Sequence, residues 1–476
     1  MPAHSRQSAG GPEWGASSSA PARKRNPPAT RRPVIRAAQP SAFHPIGRIH
    51  MSVTLHRVIR SLSAECSAAA HGIDGRGRET DILVRMRILP VGAAALLAAV
   101  AAVFPEAGRA QSRTALYAAM GPVLTAYHAD AGEATLARRG SVTLPENVQE
   151  AWPHPSRRFL YVAWSNNTRP GGHHGVTAFR IDPGTGALSQ HGQPVSVAAR
   201  SVHLTVDIPG KHLLVAYNQP SRVSVHRLAE DGTIGAEVAQ PPGLDFGIYA
   251  HQIRVDPSNR MVLLPTRGNP ATAAKPEDPG AIKVFGYRDG ILTSRVSVAP
   301  DGGRNFAPRH LDFHPARPFV FVTLEAQNKL QVYLRTEGPS LGAAPLFTRE
   351  TLADPGRLSG QATSAIRTHP NGRYVYLANR ATAAGGENSI VVYGLNQDTG
   401  EPTLLQRADT RGLHPRTFAI DPTGRLLVVA NMERRGDRPP SLTVFRIASD
   451  GKLEFARRYD QDGPGALFWT GMVALP

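Results

Sequence analysis

The 476-residue chain has one cysteine, Cys66, and it precedes everything that reads as folded. That excludes an intramolecular disulfide and, in the globular part, a thiolate nucleophile. H-E-x-x-H, Cys/His pairs at zinc spacing and a P-loop are all missing, so no metal or nucleotide-phosphate signature is present. His173 and His174 are adjacent, and on a strand two neighbours leave on opposite faces, which is not a ligand pair. The scattered Gly-x-Ser neighbourhoods form no nucleophile elbow. The formal charge of +17 is lopsided, with +9 of it in residues 1–110. Beyond that point no Lys/Arg run is interleaved with aromatics, so nucleic acid is not an expected partner. The remaining excess is either a scattered basic surface or the field of an anionic small ligand.

Residues 1–85 are rich in Arg, Pro, Ser and Ala and cannot bury a core, so disorder is expected there. The one long apolar run follows, from Ile88 to Phe104 behind Met86-Arg87 and ahead of Gly108-Arg109-Ala110. A basic start, an apolar stretch and a small-residue cleavage site describe a secretory signal over 86–110. Such a signal belongs at a terminus, so the expected start of translation is Met86, with 1–85 an over-extended reading frame. The competing reading is a membrane anchor, but the run is short for a spanning helix. With cleavage, no stable membrane insertion remains and the protein is periplasmic or secreted; without a signal it is cytoplasmic. No Cys follows the run to carry a lipid.

What is present in 111–476 is a repeat. A turn ahead of a β-rich run occurs at His154-Pro155, Asp207-Ile208-Pro209, Asp256-Pro257, His314-Pro315, His369-Pro370 and Asp421-Pro422, at intervals of 49 to 58 residues. The fullest copy, 307–335, reads as strand, His-Pro turn, strand, polar corner, strand. A further β-run at 114–118 makes seven. A unit of about 50 residues without helical periodicity is one four-stranded propeller blade. The fold expected is all-β: a seven-bladed β-propeller over 111–476, rich in Gly (45) and Pro (41) because each blade needs several tight corners. The tail 466–473 is a strand without a partner of its own. It can pair with the N-terminal β-segment and close the ring, leaving no open sheet edge.

Polar residues flanking the β-runs face the channel or its mouth in such a ring. Four stand out: His251, Arg309, Glu325 and Arg380, with Arg416 after His414-Pro415 as a further candidate. Pro308-Arg309-His310 with Phe313-His314-Pro315 and Glu325 resembles the lactonase propeller family. That family holds bacterial 6-phosphogluconolactonases of the propeller type and fungal carboxy-cis,cis-muconate cyclases. Ala250-His251, Asn371-Gly372-Arg373 to Asn379-Arg380, Pro415-Arg416 and Pro464-Gly465 extend the resemblance over essentially all of 114–476.

The resemblance implies a site of one His, one Glu and two Arg: His251, Glu325, Arg309 and Arg380. It further implies a hydrolase that opens a sugar lactone with water, in carbohydrate metabolism, without metal or organic cofactor. Glu325 and His251 would then serve as acid and base. Arg309 and Arg380 would bind the substrate anion and the developing oxyanion, with Arg416 at the channel mouth. Each residue has a plainer reading: the arginines paired with acidic neighbours, Glu325 as such a partner, His251 as a satisfied inner-strand histidine. The turn residues His154, His314 and His369 are read as structural, and so is His310. Two other functions stay open, a lactonising cycloisomerase using the same residues and a propeller that only binds a ligand or protein. The expected partner is a small lactone or anionic sugar derivative; oligomeric state is not legible.

Overall fold

The computed structural model describes residues 113–166, 172–382, 384–463 and 465–476. The extension 1–85, the leader 86–110 and Pro464 lie outside the described residues.

Seven antiparallel sheets follow one another in chain order. Blade 1 joins both ends of the domain: Thr114–Met120 pairs with Val123–Asp130 on one side and with Leu467–Ala474 on the other. The expected closure therefore occurs, with Thr114 opposite Ala474 and Tyr117 opposite Gly471. Blades 2 to 7 each run outward from an innermost strand: Val148–Pro153, Ser201–Val206, Arg254–Val255, Pro308–Phe313, Gln361–Thr368 and Pro415–Ile420. In blade 1 the C-terminal strand Leu467–Ala474 takes that place.

The second strand of each blade is buried on both faces, as Phe319–Leu324 and Leu426–Asn431 show. This is why these runs read as continuously apolar rather than alternating. Their two faces feed two different cores. Phe321 packs with Ile366, Val375 and Leu377 of blade 6, whereas Val320 and Val322 pack with Leu263, Ile282 and Val284 of blade 4. Among the described residues seven such clusters occur, each shared by two neighbouring blades, so every blade is held on both sides.

Polar pins reinforce the apolar contacts. The buried hydroxyls of Tyr117, Tyr161 and Tyr376 donate to the carbonyls of Gly186, Gly232 and Gly451 in the next blade, at 2.8–2.9 Å. Gly232 sits at φ 89°, and a Cβ there would lie 2.4 Å from the Phe159 ring, so both backbone and space require glycine.

The turn residues do what the sequence suggested. His154 and His369 bond the carbonyls of Gly210 and Gly424 in the following blade at 2.9 and 2.8 Å. Asp421 fills the equivalent place by accepting the amides of Thr423, Arg425 and Leu426. His310 differs: it lies on the innermost strand of blade 5, buried, with its ring edge-on to His251 at 5.1 Å and His203 at 5.9 Å.

Candidate active site

Every innermost strand carries one residue more than its partner near its start. Val148 and Glu150 face Trp164 and Ala163; Ser201 and His203 face Tyr217 and Ala216; Pro415 and Thr417 face Asn431 and Ala430. The same surplus falls between Pro308 and Leu311, between Thr363 and Ile366, and between Leu467 and Trp469. In blade 4 it falls between the bridge residue Ala250 and Arg254. A bulge bends the strand and re-aims the inserted side chain. The residues placed this way include Gln149, Arg309, Arg416 and Phe468, with His251 at the matching place in blade 4. The second strand of each blade ends on the same face of the ring, where Arg267, Glu325 and Arg380 follow the pairing partners Thr266, Leu324 and Asn379.

Glu325 is the hub of the first cluster. Its Oε1 accepts from Arg309 Nε at 3.1 Å and from Arg380, and its Oε2 accepts from Arg267 Nη1 at 3.0 Å. The Arg309 side chain is fully buried and that of Glu325 is 8% exposed. Burial alone raises the Glu325 carboxyl, but Arg380, Arg309, His251 and Arg267 outweigh it and hold it well below the usual carboxylate range. Glu325 is thus a fixed anion with no proton to donate at neutral pH. The arrangement is that of an ion-pair partner to three arginines.

Burial and Arg380 lower Arg309 to about 9, which leaves it charged at neutral pH. Its two Nη atoms are buried and meet no partner among the described residues. Arg267, which the sequence reading passed over, is the third clamp and lies over the Tyr249 ring at 4.3 Å. Arg380 Nη1 meets His414 Nε2 at 3.0 Å, and His414 Nδ1 faces Glu433 at 2.9 Å. Burial, Arg380 and Arg416 push His414 down to about 3, so it is neutral and accepts from Arg380.

The second cluster is less saturated. Arg416 lies 3.9 Å over the Phe468 ring, and among the described residues no carboxylate or carbonyl meets its guanidinium. Its charge is opposed by burial, then by Arg309, Arg380 and Arg200. A cation so placed gains from any anion that enters. Beside it is a cavity of about 250 Å³ lined by Asn147, Gln149, Ser165, Asn166, Arg200 and Phe468 among others. Arg200 Nε donates to Gln149 Oε1 at 2.8 Å, and no carboxylate pairs with it among the described residues.

His251 is brought to the Glu325 side. Burial first, then Arg309, holds its imidazole well below the usual range despite Glu325. Its buried Nδ1 has no partner among the described residues. It is a neutral imidazole at neutral pH, able to accept a proton only weakly. The structure brings Arg309, Glu325, Arg380 and His251 together and sets Arg416 within their electrostatic reach. It adds Arg267 and Arg200. A periodic signal existed for Arg267, which ends the second strand of blade 4 as Glu325 and Arg380 do in blades 5 and 6. Among the described residues no group of three His, Cys, Asp or Glu is placed to hold a metal ion.

Residues 116–467 match the family model described as lactonase, seven-bladed β-propeller. The chain is 30% identical over 284 residues to a 6-phosphogluconolactonase of Bacillus subtilis (strain 168), covering 57% of this chain and 77% of the relative. It is 29% identical over 341 residues to the 6-phosphogluconolactonase of Pectobacterium carotovorum subsp. carotovorum (strain PC1), covering 70% and 91%. A solved periplasmic gluconolactonase of Pseudomonas aeruginosa superposes with a TM-score of 0.60 at 20% identity, covering 77% of this chain and all of that one, which is a likeness of fold.

Proposed function

The chain belongs to the lactonase family of seven-bladed β-propellers, and from that premise we propose that it hydrolyses a sugar lactone carrying a negative charge. The observation that carries this reading is Arg416, a guanidinium without an ion-pair partner among the described residues, stacked on Phe468 beside an open cavity. Five arginines (Arg200, Arg267, Arg309, Arg380 and Arg416) gather at the mouth, and Glu325 clamps three of them. A neutral sugar can accept hydrogen bonds from these arginines but brings no counter-charge, whereas a phosphate or carboxylate does. The Phe468 ring offers an apolar platform for the sugar.

In this reading Glu325 holds Arg309 and Arg380 rigid. Arg309 is fully buried within that clamp, so the partly exposed Arg267 is the member of the cluster placed to stabilise an oxyanion forming on the lactone carbonyl. Arg416 and Arg200 take the substrate anion. The relatives' names favour a phosphorylated gluconolactone. The leader-like segment 86–110 favours an exported enzyme, which would meet a different charged lactone outside the cytoplasm.

The test is hydrolysis by residues 111–476 of 6-phosphogluconolactone beside gluconolactone, corrected for spontaneous opening, with Arg416→Ala in parallel. Turnover of the phosphorylated lactone that collapses in Arg416→Ala supports the reading. Equal turnover of both lactones, unchanged by the substitution, refutes the charged substrate. Isomerisation without uptake of water would replace hydrolysis with lactonising cycloisomerisation.

A further inference from the structure

The cavity beside Phe468 encloses about 250 Å³, less than the roughly 300 Å³ at which a pocket takes up a whole small ligand. It is sized for one end of a substrate. Among the described residues that line it, Arg200 is the one charged side chain, and none is a carboxylate.

Gln149 holds that cation. Val148 and Glu150 pair with Trp164 and Ala163, so Gln149 is the extra residue of the strand, and the bulge turns its side chain out of the ladder. The residue is nearly buried and lines the cavity. Its Oε1 accepts from Arg200 Nε at 2.8 Å, and its Nε2 donates to the Asn147 carbonyl at 2.9 Å. That carbonyl is itself fixed, because it also accepts from the Ser165 amide at 2.9 Å. The orientation of the Gln149 amide follows from its partners: a guanidinium only donates and a carbonyl only accepts. Arg200 uses one N–H in this contact, and its two Nη atoms meet no acceptor among the described residues. Asn166 lines the same cavity. Its Oδ1 accepts from the His173 amide at 2.9 Å, which leaves its Nδ2 to donate.

A carboxylate in the place of Gln149 would fix Arg200 equally well but cancel its charge, as Glu325 does for Arg267, Arg309 and Arg380. A neutral amide fixes the guanidinium and leaves its charge and its Nη edge for a ligand. Resting on the lactonase reading, we propose that this cavity is the subsite for a phosphate-class oxyanion on the substrate, and that Gln149 is the positioning residue that sets specificity for it. Arg200 Nη1 and Nη2 and Asn166 Nδ2 supply donors for its oxygens. Gln149 contributes by aiming Arg200 while providing no counter-charge.

Two readouts test this, one of them independent of turnover. Hydrolysis of 6-phosphogluconolactone and of gluconolactone is measured for the wild type, Gln149→Glu and Gln149→Met, and the binding of inorganic phosphate to each protein is measured by calorimetry. Gln149→Glu pairs Arg200 internally. It should raise KM for the phosphorylated lactone ~10-fold more than KM for gluconolactone, with the change in KM rather than kcat, and weaken phosphate binding by the same factor. Gln149→Met removes both hydrogen bonds but leaves Arg200 charged, so the differential rise should be only ~3-fold. A purely structural role predicts the reverse order, since Glu can keep the bond to Arg200 Nε and Met keeps neither. Met matches Gln closely in volume, and melting curves show that both variants fold.

A larger effect in Gln149→Met than in Gln149→Glu, a parallel rise on both lactones, or phosphate binding that neither substitution changes overturns the proposal and leaves the lactonase reading standing. Absence of turnover on every lactone refutes the lactonase reading and with it the substrate subsite. Phosphate binding weakened by Gln149→Glu would then still support the role of Gln149 at an anion site.

Discussion

The two sides of the channel mouth use the same residue types to opposite ends. On the side of blades 4 to 6, Glu325 engages Arg267, Arg309 and Arg380, and all but Arg267 are nearly buried. On the side of blades 7, 1 and 2, Arg416 lies without an ion-pair partner among the described residues, over the Phe468 ring that lines a cavity, and Glu150 is buried there without an arginine paired to it. Charges that satisfy one another are fixed in place and hold their protonation state. Charges left unsatisfied are poised to bind an ion or to exchange a proton. A carboxylate surrounded by arginines is therefore better suited to holding a site in shape than to acid–base chemistry.

The largest effect should come from breaking the saturated side. Glu325→Ala leaves three guanidiniums facing one another with no counter-charge, and losing one partner of a buried pair costs about 3–5 kcal/mol. Urea unfolding should show that loss together with collapsed activity. Glu325→Gln should also change the acid response. The native carboxyl lies below its unfolded value of 4.5, so its stabilisation is full above that pH and is lost as pH falls further. The wild type should thus destabilise more steeply on acidification than Glu325→Gln, read from melting temperatures between pH 6 and pH 3.

Arg416→Ala sharpens the contrast from the other side. It should cut kcat/KM on a charged lactone by about 10²- to 10³-fold. Stability should hold or rise, because a cation opposed by burial and three other arginines is removed. Activity loss with stability intact is the pattern expected of the open side only.

A smaller change is expected for Arg200→Gln. It should raise KM about tenfold for a phosphorylated lactone, corresponding to ~1.4 kcal/mol, and leave KM for an unphosphorylated one unchanged. A parallel rise on both lactones would place Arg200 in the scaffold instead. The smallest effect concerns histidine. Because His251 and His414 stay neutral far below their usual range, the rate profile should show no histidine limb between pH 5 and 6.5. His414→Asn should leave its shape unchanged.

The repeat made the fold legible. Each His-Pro or Asp-Pro turn is set by local backbone chemistry, and the apolar second strands by burial on both faces, so both leave a mark in sequence. The same period contains more than it first yielded. Gln149, Val202, His251, Arg309, Ser364 and Arg416 all stand five residues ahead of the turn residue of their blade. That one register marks the bulge at the mouth and includes three of the five candidates. One place further on stand Glu150, His203 and His310, of which His203 and His310 meet across the axis. Arg267 was missed because Thr266-Arg267-Gly268 lacks the motif that drew attention to Asn379-Arg380, although it occupies the same place in its blade.

What the sequence determined by itself was the seven-bladed ring, its closure by the two chain ends, and the set of polar residues available to the channel. These follow from interactions within a blade or between neighbours, which recur at a fixed period. Which charge meets which was decided only by the tertiary structure. His203 of blade 3 touches His310 of blade 5, Arg267 of blade 4 reaches Glu325 of blade 5, and Trp469 from the end of the chain meets Glu150 near its start. Such meetings depend on how the ring brings inner strands together around its axis. Residues hundreds of positions apart then share one low-dielectric space, and their pairing there sets the charge each one holds.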